Sequence, residues 1–476
     1  MDIQREFEQL KQENQALREA LKAAEQRIQE LTSMLGQNSR NSHWPSSRDK
    51  GRKKKRTKSL RGKSEKKRGG QQGHPGHALE FSQKPDEIEV HRPSRCQHCQ
   101  AEFGESEVAV GVEKRQVHDL PPLRLVVSEH QGERMLCWQC GQMSQGAFPS
   151  DVKSPVQYGP QVQQLAVYLK IEQFIPYDRS RQFFADLFGL NLSPGTLQNI
   201  IRRASRALQP VVGRIKEGLI ASDVVHFDES GLYIGGQRHW LHTAGTQALT
   251  SYYPHARRGR LATDDMGVLP HFQGVAVHDF WSAYRQYKQC QHSLCNVHHL
   301  RELTAVVEEE DQRWAAHFKL LLLSAKQGGE EAHRTGLAEL PRSKVNQIER
   351  LYAQLIETGL HANPPPPGGW PKGKRGRVKK TKARNLVERL DKHRAEVLAF
   401  VYDFKVPFDN NLAERDIRMI KVQQKISGCF RSQTGAEDFC TIRSYISTMR
   451  KQHISVWMAL ASVFSGSVLL PDLTPV

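Results

Sequence analysis

The sequence predicts a multidomain α+β protein in which a mixed α/β core follows an N-terminal coiled coil, a zinc ribbon and a short helical region. Three observations predict this order: a heptad pattern over residues 1–36, two matched Cys-x-x-Cys pairs, and a series of short β-branched segments after residue 220. A chain of 476 residues has room for about two to four such domains.

Composition indicates a polyanionic partner and a reducing compartment. The formal net charge of +18 favours nucleic acid as the partner. The eight cysteines are grouped in a way that favours a metal site over a disulfide framework. The N-terminus is charged, and the apolar runs near Leu320 and Trp457 are too short or too rich in serine to span a bilayer. We therefore expect a soluble, cytoplasmic, nucleoid-associated protein.

Residues 1–36 carry a heptad repeat with two seams. The first seam is Ile3, Leu10, Leu17, Ala24 and Leu31, and the second is Phe7, Asn14, Leu21, Ile28 and Leu35. Charged and amide residues fill the positions between them, which predicts a coiled coil. The polar Asn14 within the second seam fixes register and favours a parallel homodimer. A single helix packed on its own domain is the alternative, and it fits the polar outer faces less well.

Residues 37–84 are a predicted basic linker. Between Arg48 and Arg68, thirteen Lys or Arg face two acidic residues, a net charge of +11 (13 − 2). We expect this segment to be disordered in the free protein and to bind DNA phosphates without sequence preference. The candidate contacts are Arg52, Lys53, Lys54, Lys55 and Arg56. A purely solvated linker is the alternative.

Residues 85–150 are predicted to be a zinc ribbon. Its two turns, Cys96-Gln-His-Cys99 and Cys137-Trp-Gln-Cys140, offer four thiolates, and such a set binds Zn²⁺ tetrahedrally at about 2.3 Å. The predicted strands between them are Gln116-Val117 and Arg124–Val127, around Leu-Pro-Pro. A redox role for either pair is the alternative, and the match of the two pairs favours one structural zinc ion.

Residues 155–215 are predicted to be helical. The predicted helices span Gln161–Ile171, Asp178–Phe188 and Pro194–Ala207. Gly189 ends the second, and Ser193 is a predicted N-cap before a proline at the first helical position of the third. Helix, short turn and helix is a helix-turn-helix pattern, and an ordinary helical pair fits it equally well. Three arginines near the end of the third helix suit phosphate contacts: Arg202, Arg203 and Arg206.

Residues 220–450 are the predicted core. Its expected strands are Val224–Phe227, His239–Ala244, Ala248–Tyr253, Val275–His278 and Ser293–Val297, with a helix starting at Trp281 before the last. Three antiparallel strands followed by alternating helix and strand give the ribonuclease-H-like order, a mixed sheet with helices on both faces. Asp228 follows the first strand just before an expected hairpin turn, and Asp279 follows the fourth, 51 residues later. In such a sheet the two carboxylates are neighbours.

Glu414 supplies a third carboxylate, early in a predicted helix that Asn410 and Asn411 can cap. Carboxylates on rigid supports are what two-metal phosphoryl transfer requires, since two Mg²⁺ about 4 Å apart need hard oxygen ligands. We expect Asp228, Asp279 and Glu414 to hold these two catalytic ions. Glu302 is the rival third acid, because it follows the fifth strand directly. Two basic residues beside Glu414 are further candidates for DNA contact: Arg415 and Arg418.

These blocks resemble the insertion sequence 66 family of bacterial transposases. The similarity lies in Asp-Glu-Ser-Gly from Asp228, Val-His-Asp ending at Asp279, Asp-Asn-Asn-Leu-Ala-Glu-Arg at 409–415, and Gly69–Gly76 near the N-terminus. The resemblance implies a DDE-class enzyme with a ribonuclease-H-like core that cleaves and joins DNA strands. It also implies small element-encoded accessory proteins as partners of relatives, and whether this chain requires them stays open.

A predicted helical insertion occupies about residues 300–405, and a helical tail occupies 451–476. Within the insertion, Lys372–Arg384 holds eight basic residues and no acidic one, so DNA contact and a solvated loop are both open. The motif Cys295-Asn-Val-His298 resembles a Cys-x-x-His block of several transposase families. With Cys290 and His292 it suggests a second metal site; a buried cysteine and a hydrogen-bonded histidine are the alternative.

The sequence as a whole predicts a DNA transposase that binds the terminal inverted repeats of an insertion sequence. The zinc ribbon and helix-turn-helix would recognise the ends, and the coiled coil would pair two subunits. A non-catalytic DNA-binding regulator and a nuclease on the same fold are the alternatives. A regulator does not need three converging carboxylates, and a nuclease does not need the dimerising and end-binding segments.

Overall fold

The computed structural model describes residues 79–106, 108–365 and 380–474. The predicted coiled coil and most of the basic linker, including Arg52, Lys53, Lys54, Lys55 and Arg56, lie outside these residues. The described part divides into two compact units, residues 79–128 with 187–189, and residues 129–186 with 190–474. None of the helices described is both long enough and apolar enough to cross a membrane.

The first unit is built from turns and extended chain. Its best-defined feature is the turn at Cys96, where the Gln100 N–H donates to the Cys96 carbonyl (3.0 Å) and the Cys96 N–H to the Ala101 carbonyl (2.8 Å). The strands predicted at Gln116-Val117 and Arg124–Val127 were wrong: both segments lack strand pairing. Their apolar side chains are exposed, and Pro121-Pro122 cannot donate ladder hydrogen bonds.

The second unit begins with a small hairpin around the other Cys-x-x-Cys turn. Strands β1 (Arg134–Leu136) and β2 (Met143–Gln145) pair antiparallel. The turn between them repeats the geometry at Cys96, because the Gly141 N–H donates to the Cys137 carbonyl and the Cys137 N–H to the Gln142 carbonyl (both 2.8 Å).

Three helical segments follow. Helix α1 (Pro160–Val167) continues as a π-helix (Tyr168–Glu172), and α2 (Tyr177–Phe188) ends at Gly189, whose φ is +64°. Ser193 caps α3 (Pro194–Ile220) as predicted, accepting a hydrogen bond from the Thr196 N–H (3.0 Å). The predicted end at Ala207 was wrong, because the buried stripe continues past Pro210 through Val211, Ile215 and Leu219.

The predicted mixed sheet is present, with five strands in the order β5-β4-β3-β6-β7. The strands are β3 (Val224–Ile234), β4 (Gln237–Gly245), β5 (Thr250–His255), β6 (Val275–His278) and β7 (Gln291–Leu294). The pairs β3–β4 and β4–β5 are antiparallel, and β3–β6 and β6–β7 are parallel. Helix α4 (Arg260–Met266) and a 3₁₀ turn (Leu269–His271) connect β5 to β6.

Strand β3 is longer than predicted. It runs through Asp228 and Gly231, and the hairpin turn falls at Gly235-Gly236 instead. Both of these glycines have positive φ, +56° and +79°, which is the backbone of the two-residue turn that suits a hairpin. Asp228 therefore lies inside a strand, where its backbone is paired with Thr243 of β4.

The link from β6 to β7 also differs from the prediction. The helix expected from Trp281 is only a 3₁₀ turn (Tyr284–Gln286). Trp281, Tyr284 and Tyr287 recur every third residue, the period of a 3₁₀ helix, and the two tyrosines are buried. The strand predicted at Ser293–Val297 ends earlier, at Leu294, because Asn296 already begins the next helix.

Residues 296–402 are helical apart from turns and the undescribed stretch 366–379. The helices are α5 (Asn296–Glu310), α6 (Arg313–Arg334), α7 (Arg342–Ala362), α8 (Lys382–Lys392), α9 (Arg394–Val397) and α10 (Ala399–Tyr402). They share one hydrophobic core around Trp314, Phe318 and Tyr352, which extends to Leu294 and Phe408.

The chain then returns to the sheet through α11 (Asn411–Ser427) and α12 (Gln433–Lys451). Helix α11 packs against β3 and β4, and α12 packs against β5 and α3. Helix α13 (Val456–Phe464) is the last helix described, and it packs against α1. The return of α11 to the central strand β3 determines where Glu414 lies.

Candidate active site

Asp228 lies on β3, and Asp279 directly follows β6, the parallel neighbour of β3. The pairs Val224↔Val275, Val225↔Ala276 and His226↔Val277 all join residues 51 apart, so two residues further along the same register sets Asp228 beside Asp279. Each carboxylate receives a backbone hydrogen bond: Asp228 Oδ1 from the Glu229 N–H and Asp279 Oδ1 from the Trp281 N–H, both at 2.8 Å. These bonds orient the two side chains.

Glu414 is brought to the same place by Asn410, a buried residue just before α11. The Asn410 Nδ2 donates to the Phe227 carbonyl (2.7 Å), and its Oδ1 lies 2.8 Å from His226 Nδ1. The side chain makes no cap bond to α11, so the predicted capping role was wrong. It joins the helix to β3 instead, one residue before Asp228.

Charge and burial act together at this cluster. Burial, and then the charges of Glu229, Asp279 and Glu414, raise the pKa of Asp228 well above its usual range. Asp228 is therefore close enough to three other carboxylates, Glu229, Asp279 and Glu414, for their charges to act on it. The nearest cationic partner of Glu414 is Arg418, with Nη2 3.9 Å from Oε2 and a side chain 72% exposed. Such a contact is worth little, and a bound cation would relieve the repulsion.

Glu229 was missed by the sequence analysis. Its side chain is buried, and it accepts hydrogen bonds from Arg258 on Oε1 (Nε at 2.8 Å) and from the Tyr284 hydroxyl on Oε2. The Arg258 guanidinium lies between two rings, 4.9 Å from the Trp240 centroid and 4.3 Å from that of Trp281. Both oxygens of Glu229 are thus occupied. Its adjacency to Asp228 was the available signal, but Arg258 lies 29 residues away.

A further group of potential ligand atoms adjoins Glu414. One potential ligand atom each from Cys295, His298 and Glu414 lies within 4.8 Å of the other two. Among the described residues, this is the group of at least three such side chains that could hold a metal ion. Burial raises the pKa of Cys295 to about 12. The suggested four-residue site with Cys290 and His292 is not formed, because His292 contacts the Tyr287 carbonyl and His278 instead (2.8 and 2.9 Å).

Glu302, the rival third acid, is engaged elsewhere. It lies on α5 and forms an ion pair with Arg389, and both side chains are about four-fifths buried, with 20% and 19% of their surfaces exposed. Glu302 is also absent from the charges that raise the pKa of Asp228, whereas Glu414 is among them. The ion pair of Glu302 and the effect of the Glu414 charge on Asp228 therefore favour Glu414 as the third acid.

Each Cys-x-x-Cys turn directs donors at its first sulfur. Backbone N–H groups of Cys99 and His98, and then the Cys99 thiol, lower the pKa of Cys96. The N–H groups of Cys140 and Gln139, and then the Cys140 thiol, do the same for Cys137. Hydrogen bonds of this kind favour the thiolate, which is the form that binds Zn²⁺. Each turn, taken by itself, suits a zinc ligand pair.

The predicted basic contacts within the described chain differ in availability. Arg206, Arg415 and Arg418 are exposed. Arg203 is exposed but donates to Gln163 Oε1 (2.8 Å), and Arg202 is half-buried with an unpartnered Nε among the described atoms. The residues most open to phosphate are therefore those at the surfaces of α3 and α11.

Comparison with known proteins identifies the class of protein first. Residues 155–438, more than half of the chain and all three candidate acids, match the model described as Transposase IS66 family. The protein is a transposase, and it belongs to this family. Residues 2–80 match a family of unknown function (DUF6444). A relative described as "Uncharacterized protein y4hP", from Sinorhizobium fredii (strain NBRC 101917 / NGR234), is 22% identical over 415 residues, which cover 79% of this chain and 72% of the relative.

Proposed function

We propose that the protein is a DDE-class transposase that binds the terminal inverted repeats of an insertion sequence, cleaves a DNA strand there and joins the freed end to target DNA. The observation that carries the proposal is the convergence of Asp228, Asp279 and Glu414 from two parallel strands and a helix that returns to them. The strand order supports a ribonuclease-H-like core, and a regulator that only binds DNA has no need for this cluster.

The donor set suits two Mg²⁺ ions. Asp228, Asp279 and Glu414 offer hard carboxylate oxygens, and Glu414 Oε1 is buried without a hydrogen-bond partner among the described residues. When bound, the ions supply an activated water and stabilise the leaving oxygen. The fourth acid, Glu229, is bound by Arg258 and Tyr284. In this proposal it is therefore not a metal ligand, and it holds Arg258 and Tyr284 in place beside the acids.

The remaining residues bind and orient DNA in this proposal. Arg415 and Arg418 are exposed on the helix that carries Glu414, which suits contacts to phosphates next to the reacting one. Arg202, Arg203 and Arg206 on α3 and the basic segment at 48–68 add further phosphate contacts. Zinc at Cys96, Cys99, Cys137 and Cys140 would hold the ribbon, and residues 1–36 would pair two subunits across two ends.

Metal-dependent nicking of a duplex that contains the element's end tests the proposal. Asp228→Ala, Asp279→Ala and Glu414→Ala should each abolish cleavage and retain end binding in a gel-shift assay. Glu302→Ala is the matched control, because it removes the rival acid, which is largely buried and paired with Arg389, and it should retain substantial cleavage. Cleavage by Glu414→Ala together with none by Glu302→Ala would contradict the choice of the third acid.

A nuclease on the same fold is distinguished by the second chemical step. The proposed transposase uses the freed 3′-hydroxyl to attack target DNA, so nicked ends should become joined to a supercoiled plasmid in the same reaction. Nicking that is never followed by joining, with accessory proteins of the element present, would favour the nuclease.

A further inference from the structure

Two helix starts meet beside the candidate active site and bring three chemically different ligands together. Cys295 directly precedes α5, His298 lies in the first turn of α5, and Glu414 lies in the first turn of α11. Their ligand atoms, a sulfur, an imidazole nitrogen and a carboxylate oxygen, lie within 4.8 Å of one another. Helix N-termini favour negative charge, so the location suits a thiolate and a carboxylate.

Two polar atoms of this group lack partners. His298 Nδ1 and Glu414 Oε1 are buried, and neither makes a hydrogen bond among the described residues. Buried polar atoms are almost always bonded, so each exception calls for an explanation, such as an ion. The sulfur of Cys295 is fixed from the other side, because the Asn410 N–H donates to it at 3.2 Å. This hydrogen bond ties the start of α11, which carries Glu414, to the start of α5, which carries His298.

We propose that Cys295, His298 and Glu414 bind one transition-metal ion of the Zn²⁺ class. A thiolate, an imidazole and a carboxylate form a mixed set that suits Zn²⁺ or Co²⁺, whereas Mg²⁺ takes oxygen ligands almost alone. Three protein ligands leave the fourth tetrahedral position open to water. Binding releases the Cys295 thiol proton to solvent, since the thiolate is the form that binds metal.

The site has a regulatory consequence, which rests on the function proposed above. Glu414 belongs to two donor sets, the oxygens of Asp228 and Asp279 on one side and the sulfur and nitrogen of Cys295 and His298 on the other. A Zn²⁺ ion at the second set draws the Glu414 carboxylate away from the first. Zn²⁺ should therefore inhibit Mg²⁺-dependent cleavage, so that metal supply controls the enzyme.

Zinc stoichiometry of the full-length protein tests the site without any activity measurement. Wild type, Cys295→Ala, His298→Ala and Cys290→Ala are dialysed against Zn²⁺ at one free concentration and analysed for metal. The Cys-x-x-Cys pairs are present in all four, so differences report on the proposed site. Wild type and Cys290→Ala should bind one more zinc ion than the other two, and Cys290 is the matched control because it is a buried thiol outside the group.

Co²⁺ gives a second readout, since a cysteine thiolate bound to Co²⁺ adds a charge-transfer band that Cys295→Ala should lose. If Cys295→Ala does not fold, as judged by circular dichroism, His298→Ala decides, because its half-buried side chain is less important for packing. Equal zinc content in wild type and His298→Ala overturns the proposed site.

The regulatory consequence is measured as the ratio of nicking rates without and with Zn²⁺ at constant Mg²⁺, within each variant. The ratio should be at least about tenfold larger in wild type and Cys290→Ala than in His298→Ala. Mutation of a residue that only supports a metal ligand typically weakens metal binding by about 10–100-fold, and loss of a ligand itself should weaken Zn²⁺ binding at least as much. Equal ratios overturn the regulatory role. Absence of nicking in every protein contradicts the proposed function instead, and the zinc stoichiometry still decides the site.

Discussion

Replacing Asn410 with alanine tests how the third carboxylate is held. The change removes two buried hydrogen bonds, one from Nδ2 to the Phe227 carbonyl and one between Oδ1 and His226. Since Oδ1 can only accept, His226 Nδ1 carries the proton and is left as an unpaired donor. Each buried group left unpaired costs about 1–3 kcal/mol, so the loss in unfolding free energy should be about 2–6 kcal/mol, a large part of the 5–15 kcal/mol typical of a folded domain.

The effect on activity should exceed the effect on folding. Without these hydrogen bonds to β3, the start of α11 can shift and carry Glu414 with it. A displacement of about 1 Å at a reacting group lowers the rate of the chemical step by about 100-fold. Chemical denaturation measures the first effect, and nicking at a temperature where the variant is fully folded measures the second. Asn411→Ala is the control, because the Asn411 side chain is exposed and makes no hydrogen bond to another described residue, while its backbone N–H, which alanine keeps, donates to Asp409 Oδ1 (2.9 Å). Equal activity of the two variants would refute the reasoning.

Three further predictions concern pH, zinc and salt. The free energy of unfolding should fall as the pH drops from 6.5 towards 4, because burial lowers the pKa of His226 from 6.5 to about 4 and the unfolded chain therefore binds the proton first. In denaturation measured as a function of pH, His226→Gln should show a shallower slope than wild type. An unchanged slope would contradict this prediction. Cys137→Ser should reduce the zinc content of the full chain by one ion, measured by metal analysis, and unchanged zinc would exclude a ligand role. Deleting residues 48–68 should flatten the log–log salt dependence of DNA binding by about 7 if eight of its charges meet phosphates; an unchanged slope would make the segment a free linker.

The position of Asp228 next to Asp279 could be predicted because it depends on local strand patterns. Each of the two strands is a short β-branched run. Paired residues of β3 and β6 are 51 positions apart in the chain, and this spacing can be recognised in the sequence once the order of the sheet is assumed. The length of β3 was not readable in the same way. Gly231 is a turn residue by propensity, yet here it pairs with Trp240 inside the ladder, since the pairing of its neighbours outweighs the weak preference of one glycine.

The surroundings of the acids depend on contacts that no local pattern carries. Asn410 looks like a helix cap in the sequence, and its actual partners are 183 and 184 residues away. Glu229 was not singled out in the sequence, and its burial depends on Arg258, Tyr284 and the two rings next to the guanidinium. Packing of this kind is fixed only when distant segments meet, so the sequence indicates which acids form the candidate site but not which residues hold them.

The place where the chain leaves the sheet for the helical segment lies next to the place where it returns. The Asn410 N–H reaches Cys295 Sγ across 115 residues, and the Asn296 N–H donates to the Phe408 carbonyl (3.1 Å). The two ends of the segment between these residues are therefore tied to each other, and the hydrophobic core of the segment includes Leu294 and Phe408 beside them. Lengthening a loop between α6 and α8 should therefore leave the spacing of Asp228, Asp279 and Glu414 unchanged, so that part of the chain can diverge in evolution, or be altered by an engineer, while the three acids keep their places.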